Sequence, residues 1–248
     1  MPEGPSIVIL KEQVQSFAGK KILTVSGNTK LDVSALAGQK ILALRSWGKH
    51  FLIVLPKATV RIHFLLFGSY SINEQKKPNP RLHFHFKTGD LYFYACSVKL
   101  LTEELDELYD WSADVMNDDW DPVQARRKLK SVPDELVADA LLDQDIFAGV
   151  GNIIKNEVLF RIRVHPESQV GALPPRKLTE LIKEARNYSF DFLKWKKAFE
   201  LRKHWLAHAK SECPRDHVPF IKVKHLGKRK RRAFFCTECQ KQYLLQAP

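Results

Sequence analysis

The sequence predicts an α+β chain of several domains: an N-terminal helix leading into a β-sandwich or barrel, a helical middle, and a short β-hairpin tail. Three observations predict it. Short β-rich runs broken by Gly and Pro fill Lys21 to about Leu101, helical spacing dominates beyond about residue 120, and three of the four cysteines lie after residue 212. At 248 residues and 44% hydrophobic content the chain can bury a real core. Lys and Arg total 40 against 28 acidic residues, a formal charge of +12 that favours an acidic partner, nucleic acid foremost. No apolar run approaches the ~20 residues of a membrane span, and the N-terminus lacks the basic-then-apolar layout of a secretory signal. A soluble, intracellular monomer with no membrane association is expected, in a bacterial cytoplasm or a eukaryotic nucleus.

Taken in order, Ser6 to Ala18 places Ile7, Leu10, Val14 and Phe17 at helical spacing, with Gly19 as the C-cap. Strands are expected at Lys40 to Leu44, Phe51 to Leu55, Arg81 to Lys87 and Leu91 to Tyr94; in Arg81 to Lys87, Leu82, Phe84 and Phe86 alternate with polar or basic neighbours. Cys96 stands alone in an apolar stretch and reads as a small buried hydrophobe. An acidic segment, Glu103 to Asp121, ends in Asp121-Pro122, an N-cap followed by proline at the first helical position, which sets a domain boundary near residue 120. Helices follow at about 122–130, 134–142, 152–162 and 176–205. From about Ser211 short β-like segments return. The expected domains are therefore 1–120, 121–210 and 211–248.

Three constellations carry chemistry. Trimming of Met1 leaves a secondary amine at Pro2, followed by Glu3 and a Gly4-Pro5 turn. An ordinary α-amine of pKa about 8 keeps an appreciable neutral fraction at physiological pH. Attack by such an amine on a sugar's anomeric carbon gives an iminium that acidifies the neighbouring carbon for elimination, so base loss and strand scission share one intermediate. Glu3 is the natural proton donor for opening the sugar ring. In the tail, Cys213-Pro214-Arg215-Asp216-His217 and Cys236-Thr237-Glu238-Cys239 offer three thiolates and an imidazole, a tetrahedral set for structural Zn2+, with His225 as the competing fourth ligand. The basic run Lys224 to Arg232 between those pairs would be displayed on a hairpin, where arginines press against phosphates. In Ala148-Gly149-Val150-Gly151-Asn152, two glycines open a helix whose N-terminus offers free N–H groups to a phosphate.

Five ordered motifs, the MPEGP terminus, Trp47-Gly48-Lys49-His50, His63 to Ser69, Ala148 to Asn152 and the cysteine finger, together resemble the formamidopyrimidine-DNA glycosylase and endonuclease VIII (Fpg/Nei) family. The resemblance implies an N-terminal β-sandwich, a helix-two-turn-helix domain and a zinc finger that bind damaged DNA with the lesion flipped out. By motif, Pro2 is the Schiff-base nucleophile and Glu3 its acid/base partner. Lys49 contacts phosphate beside the lesion, Asn152 and Arg231 grip the backbone, and Leu66, flanked by Leu65 and Phe67, fills the gap left by the flipped base. Tyr94 to Leu100 resembles the Nei-type segment rather than the Fpg loop, and Leu66 and the Cys-His-Cys-Cys set point the same way. The implied activity is a bifunctional glycosylase/lyase that removes oxidised pyrimidines by β,δ-elimination. Ser6 departs from the glutamate common in Nei. An oxidised-purine glycosylase and a non-catalytic zinc-containing damaged-DNA-binding protein are the alternatives.

Overall fold

In the computed structural model, which describes residues 2–246, the chain divides into two compact units, Met1–Tyr109 and Asp110–Pro248. Met1, whose removal the N-terminal chemistry requires, lies outside the described residues. The division falls earlier than residue 120: the acidic stretch splits, and its second part, with the N-cap Asp121, belongs to the second unit. The tail from residue 211 is part of that same unit.

The first unit opens on α1 (Gly4–Gln13), with Pro5 in its first turn, continued by a 3-10 turn at Gln15–Phe17. Ile7, Leu10, Val14 and Phe17 are each at most 3% exposed, as their spacing requires. Burial of side chains of this size is worth about 1.5–3 kcal/mol apiece, which anchors the start of the chain. Six strands form one antiparallel sheet in the order β1-β5-β6-β4-β3-β2. They are β1 (Ile22–Ser26), β2 (Ala43–Trp47), β3 (His50–Val54), β4 (Thr59–Ile72), β5 (Leu82–Phe86) and β6 (Gly89–Leu101). The long strands β4 and β6 run through both halves of the sheet, and the halves share one core in which Phe51 of β3 meets Phe93 of β6 at 6.0 Å between ring centroids. In β5, Leu82, Phe84 and Phe86 are buried while His83 and His85 face outward, the alternation expected of a half-buried strand. Cys96 is buried in this core, and burial pushes its thiol up to about 11. A short α2 (Leu105–Leu108) closes the unit.

The second unit holds α3 (Pro122–Lys130), α4 (Val137–Ala140), α5 (Asn152–Arg161) and α6 (Pro175–Lys197), then a hairpin of β7 (Ile221–Leu226) and β8 (Arg231–Phe235). Asp121 caps α3 by accepting the Val123 N–H at 2.7 Å. The core is formed by α5 and α6 with Leu226, Ala233 and Phe235 of the hairpin. The C-terminal residues return along the segment after α5: His165 N–H donates to the Lys241 carbonyl at 2.9 Å, Gln169 N–H to the Tyr243 carbonyl at 2.9 Å, and Tyr243 N–H to Ser168 Oγ at 3.0 Å. Two helices are shorter than their sequence pattern. The 134–142 segment contributes only one helical turn, and α6 stops at Lys197 because Phe199 turns left-handed at φ 59°, leaving a 3-10 turn at Leu201–His204.

Candidate active site and metal centre

Pro2 and Glu3 sit at the head of α1. Glu3 occupies the N-cap position in extended conformation and is 1% exposed, while Pro2 is half-buried. The buried face of α1 packs on β2 and β3, the hairpin whose turn carries Lys49. That turn is the two-residue link Gly48-Lys49 closed by the Trp47–His50 pair, and it needs the left-handed φ of 51° that Gly48 supplies. Next to Lys49, His50 is half-buried; its pKa is pushed down to about 3, first by desolvation and then by the neighbouring Arg61, His63, Lys49 and Lys99. His63 is lowered for the same reasons. Both imidazoles are therefore neutral at physiological pH, and the Tyr109 hydroxyl and His50 Nδ1 share a hydrogen bond at 3.2 Å. Burial raises the Tyr109 phenol and keeps it protonated. Ser6 Oγ is buried with no hydrogen-bond partner among the described residues.

Leu65, Leu66 and Phe67 do not belong to the core. They are 54, 57 and 85% exposed. Phe64 pairs with Cys96 and Ser69 with Tyr94, so residues 65–68 bulge out opposite Ala95 alone. The bulge depends on Gly68, where a Cβ would lie 2.6 Å from Phe64 Cβ and 2.9 Å from the Ala95 carbonyl, and on Ala95 at φ 46°.

In the second unit Asn152 is the first residue of α5, preceded by Gly149 at φ 98° and by Gly151 as N-cap. Gln144 shapes the loop, accepting the Gly149 N–H at 3.1 Å and donating to the Leu142 and Val150 carbonyls. The Asn152 side-chain oxygen is buried with no partner among the described residues. Arg231 begins β8 directly after the left-handed Lys230.

The residues that could hold a metal ion differ from the sequence expectation at one position. Cys213, Asp216, Cys236 and Cys239 bring one ligand atom each within 4.8 Å of one another. The Cys213 and Cys236 thiols point at Asp216 Oδ2 at 3.3 and 3.2 Å, and Cys213 and Cys239 sulfurs are 3.8 Å apart. His217, expected as the fourth ligand, stands outside the group. The knuckle closes through His217 N–H to the Cys213 carbonyl, and at φ 56° His217 turns its ring outward to Glu212, with 77% of its side chain exposed. His225 lies on the exposed face of β7 and is also outside. Three thiols and a carboxylate converging on one point suit a divalent cation of the zinc type, which would replace the protons now shared with Asp216. Burial pushes the Cys239 thiol up to about 12 and raises that of Cys236, so these two sulfurs hold their protons until a cation displaces them.

Residues 1–97 match the formamidopyrimidine-DNA glycosylase N-terminal domain, and residues 112–189 match the formamidopyrimidine-DNA glycosylase H2TH domain. The DNA-(apurinic or apyrimidinic site) lyase Nei2 of Mycolicibacterium smegmatis is 30% identical over 184 residues, 70% of this chain and 71% of that protein. The chain belongs to the Fpg/Nei family. Within it, Endonuclease 8-like 3 of Xenopus laevis is 29% identical over 244 residues, covering 93% of this chain. The chain spans 39% of that protein's length. The fold agrees: the Lactococcus lactis formamidopyrimidine-DNA glycosylase, solved with DNA containing an AP site, superimposes with a TM-score of 0.83 at 20% identity over 97% of this chain and 100% of that one. The named relatives place the chain on the endonuclease VIII-like side of the family. Among the described residues no helix is long and apolar enough to cross a membrane. Sequence reasoning passed over Asp216, and it passed over the His50, His63 and Tyr109 group beside Lys49. Asp216 had a signal, since it stands at the third position after Cys213, the spacing that also separates Cys236 from Cys239.

Proposed function

We propose that the chain is a monomeric DNA glycosylase and AP lyase that removes oxidised pyrimidines from damaged DNA. The observation that carries this reading is the seat of the N-terminus. A half-buried proline follows Met1, beside a glutamate withdrawn from water, on a helix anchored against the hairpin that carries Lys49. With Met1 removed, the Pro2 nitrogen bonds to C1′ of the flipped nucleotide. The base departs with the C1′–N bonding electrons and takes up a proton, while Glu3 protonates the ring oxygen so that the sugar opens. The resulting iminium draws electrons from C2′; loss of a C2′ proton expels the 3′ phosphate, and a second elimination expels the 5′ phosphate.

Lys49, Asn152 and Arg231 serve as phosphate contacts, the first as a point charge, the second from a helix N-terminus and the third as a planar fork. The exposed Leu65-Leu66-Phe67 bulge supplies apolar surface to fill a vacated stack. Cys213, Asp216, Cys236 and Cys239 would hold Zn2+, which would contribute fold rather than chemistry, since four protein ligands would leave no position for substrate. The name of the Nei2 relative, an AP lyase, supports the elimination step.

Borohydride added to the protein with abasic-site DNA should trap a covalent adduct through Pro2. Folded, DNA-binding protein that yields no adduct would refute the mechanism. Excision of thymine glycol or dihydrouracil in preference to 8-oxoguanine is expected, and the opposite preference would assign the oxidised-purine alternative.

A further inference from the structure

The β7–β8 hairpin is tied to the helical core by buried polar side chains that the proposed chemistry does not use. Asp139 in α4 is 1% exposed, and its two carboxylate oxygens accept the backbone N–H groups of Lys228 at 2.8 Å and Arg229 at 3.1 Å, in the hairpin turn. The turn reaches Asp139 only because residue 227 is glycine. Gly227 sits at φ 68°, and a Cβ there would lie 2.1 Å from Asp139 Oδ2. Arg229 adds an ion pair to Asp143 at 2.8 Å. On the other side of Arg231, the buried Lys155 ammonium donates to the Arg232 carbonyl at 2.9 Å, and Asn156 Oδ1 accepts the Phe234 N–H at 3.3 Å. Arg231 thus lies between two fixed points, the turn at 227–229 and the strand at 232–234. Both are held by helices of the unit that presents Asn152.

A buried carboxylate is costly to desolvate unless backbone donors replace its water. Asp139 recovers that cost only while the turn is seated, so the seated hairpin is favoured over a swinging one. We propose that Asp139, with Gly227 as its steric complement, is a positioning residue that fixes Arg231 relative to the α5 N-terminus, setting the spacing at which the chain reads two phosphates. This inference rests on the phosphate-contact reading of Arg231 given above.

The test uses the full zinc-loaded chain and abasic-analogue duplex DNA, with Arg231→Ala, Asp139→Ala, Gly227→Ala and the Asp139→Ala/Arg231→Ala double variant. Each single variant should weaken binding and reduce the slope of log K against log salt by about one, the signature of one lost phosphate contact. The double variant should bind no worse than Arg231→Ala, because Asp139 acts through Arg231. Amide exchange at Lys228 and Arg229 should quicken in both Asp139→Ala and Gly227→Ala; Gly227→Ala, which alters the hairpin turn and keeps every helical side chain, guards against misfolding of the Asp139 variant. Arg231→Ala without effect on binding sinks the phosphate reading itself. If Arg231→Ala weakens binding, the positioning role is overturned by an unchanged salt slope in Asp139→Ala and Gly227→Ala, or by losses that simply add in the double variant.

Discussion

Glu157 is fully buried in the middle of α5, and its carboxylate is the anchor of the segment that leads to Cys213. Its oxygens accept three consecutive backbone N–H groups: Leu206 at 3.0 and 3.1 Å, Ala207 at 2.9 Å and His208 at 2.7 Å. Replacing Glu157 by Ala leaves three amide donors facing an apolar cavity. An unsatisfied buried donor costs about 1–3 kcal/mol, and relaxation of an otherwise solvent-adjacent turn recovers part of that, so a loss of roughly 3–5 kcal/mol is expected. Glu157→Gln keeps one carbonyl oxygen but turns an NH2 toward amide donors, and roughly half that loss follows. Urea denaturation of the metal-loaded chain, followed by tryptophan fluorescence from Trp205 beside the segment, measures both. A Glu157→Ala cost under about 1 kcal/mol, or a Gln variant no better than Ala, would refute the anchoring argument.

Leu66→Ala and Phe67→Ala, at exposed positions, should leave the unfolding free energy in urea within about 0.5 kcal/mol of the parent while lowering excision from duplex DNA; a large stability loss would return these residues to the core. In the metal site, Cys236→Ser should release the bound ion to a colorimetric chelator. His217→Ala should retain it and Asp216→Ala should bind it more weakly; the reverse order would restore the Cys-His-Cys-Cys set. The folded pKa of His50 near 3 lies below its ordinary 6.5, so the unfolded chain binds the extra proton between those values. The stability tied to neutral His50 is whole above about pH 6.5 and falls by about 2 kcal/mol toward pH 5. His50→Gln should flatten that slope in pH-dependent denaturation, and an unchanged slope would count against the burial argument.

What the sequence makes legible is what backbone chemistry dictates locally. Asp121-Pro122 specifies the start of α3 to the residue because a side-chain acceptor and a missing N–H act on the same turn. The apolar spacing of Ile7, Leu10, Val14 and Phe17 needs no partner to declare a buried face, and the glycines at 48, 149 and 151 mark turns that bring Lys49 and Asn152 to element ends. Tertiary choices are not legible in this way. Val137–Leu141 is buried on all sides, Asp139 included, so nothing in its pattern marks where the helix stops, and only one turn of helix forms there. Strand β2 begins at Ala43 rather than Lys40 because its register is counted from the Gly48-Lys49 turn. Whether Asp216 or its neighbour points inward depends on a single positive φ at His217, which composition does not reveal. The His50, His63 and Tyr109 group exists only because β2, β3 and β4 pair and Tyr109 returns to them.

The C-terminal strap along residues 163–169 has an architectural consequence. Because Lys241 and Tyr243 supply the carbonyls that the helix-exit loop would otherwise lack, a chain cut just after Cys239 would keep every metal-binding side chain yet leave that loop without its lining. Fusions and affinity handles therefore belong beyond Leu245, whose own N–H is still engaged by Gln169, and a minimal version of this protein trimmed to its last cysteine would be a poorer object than its motif list suggests.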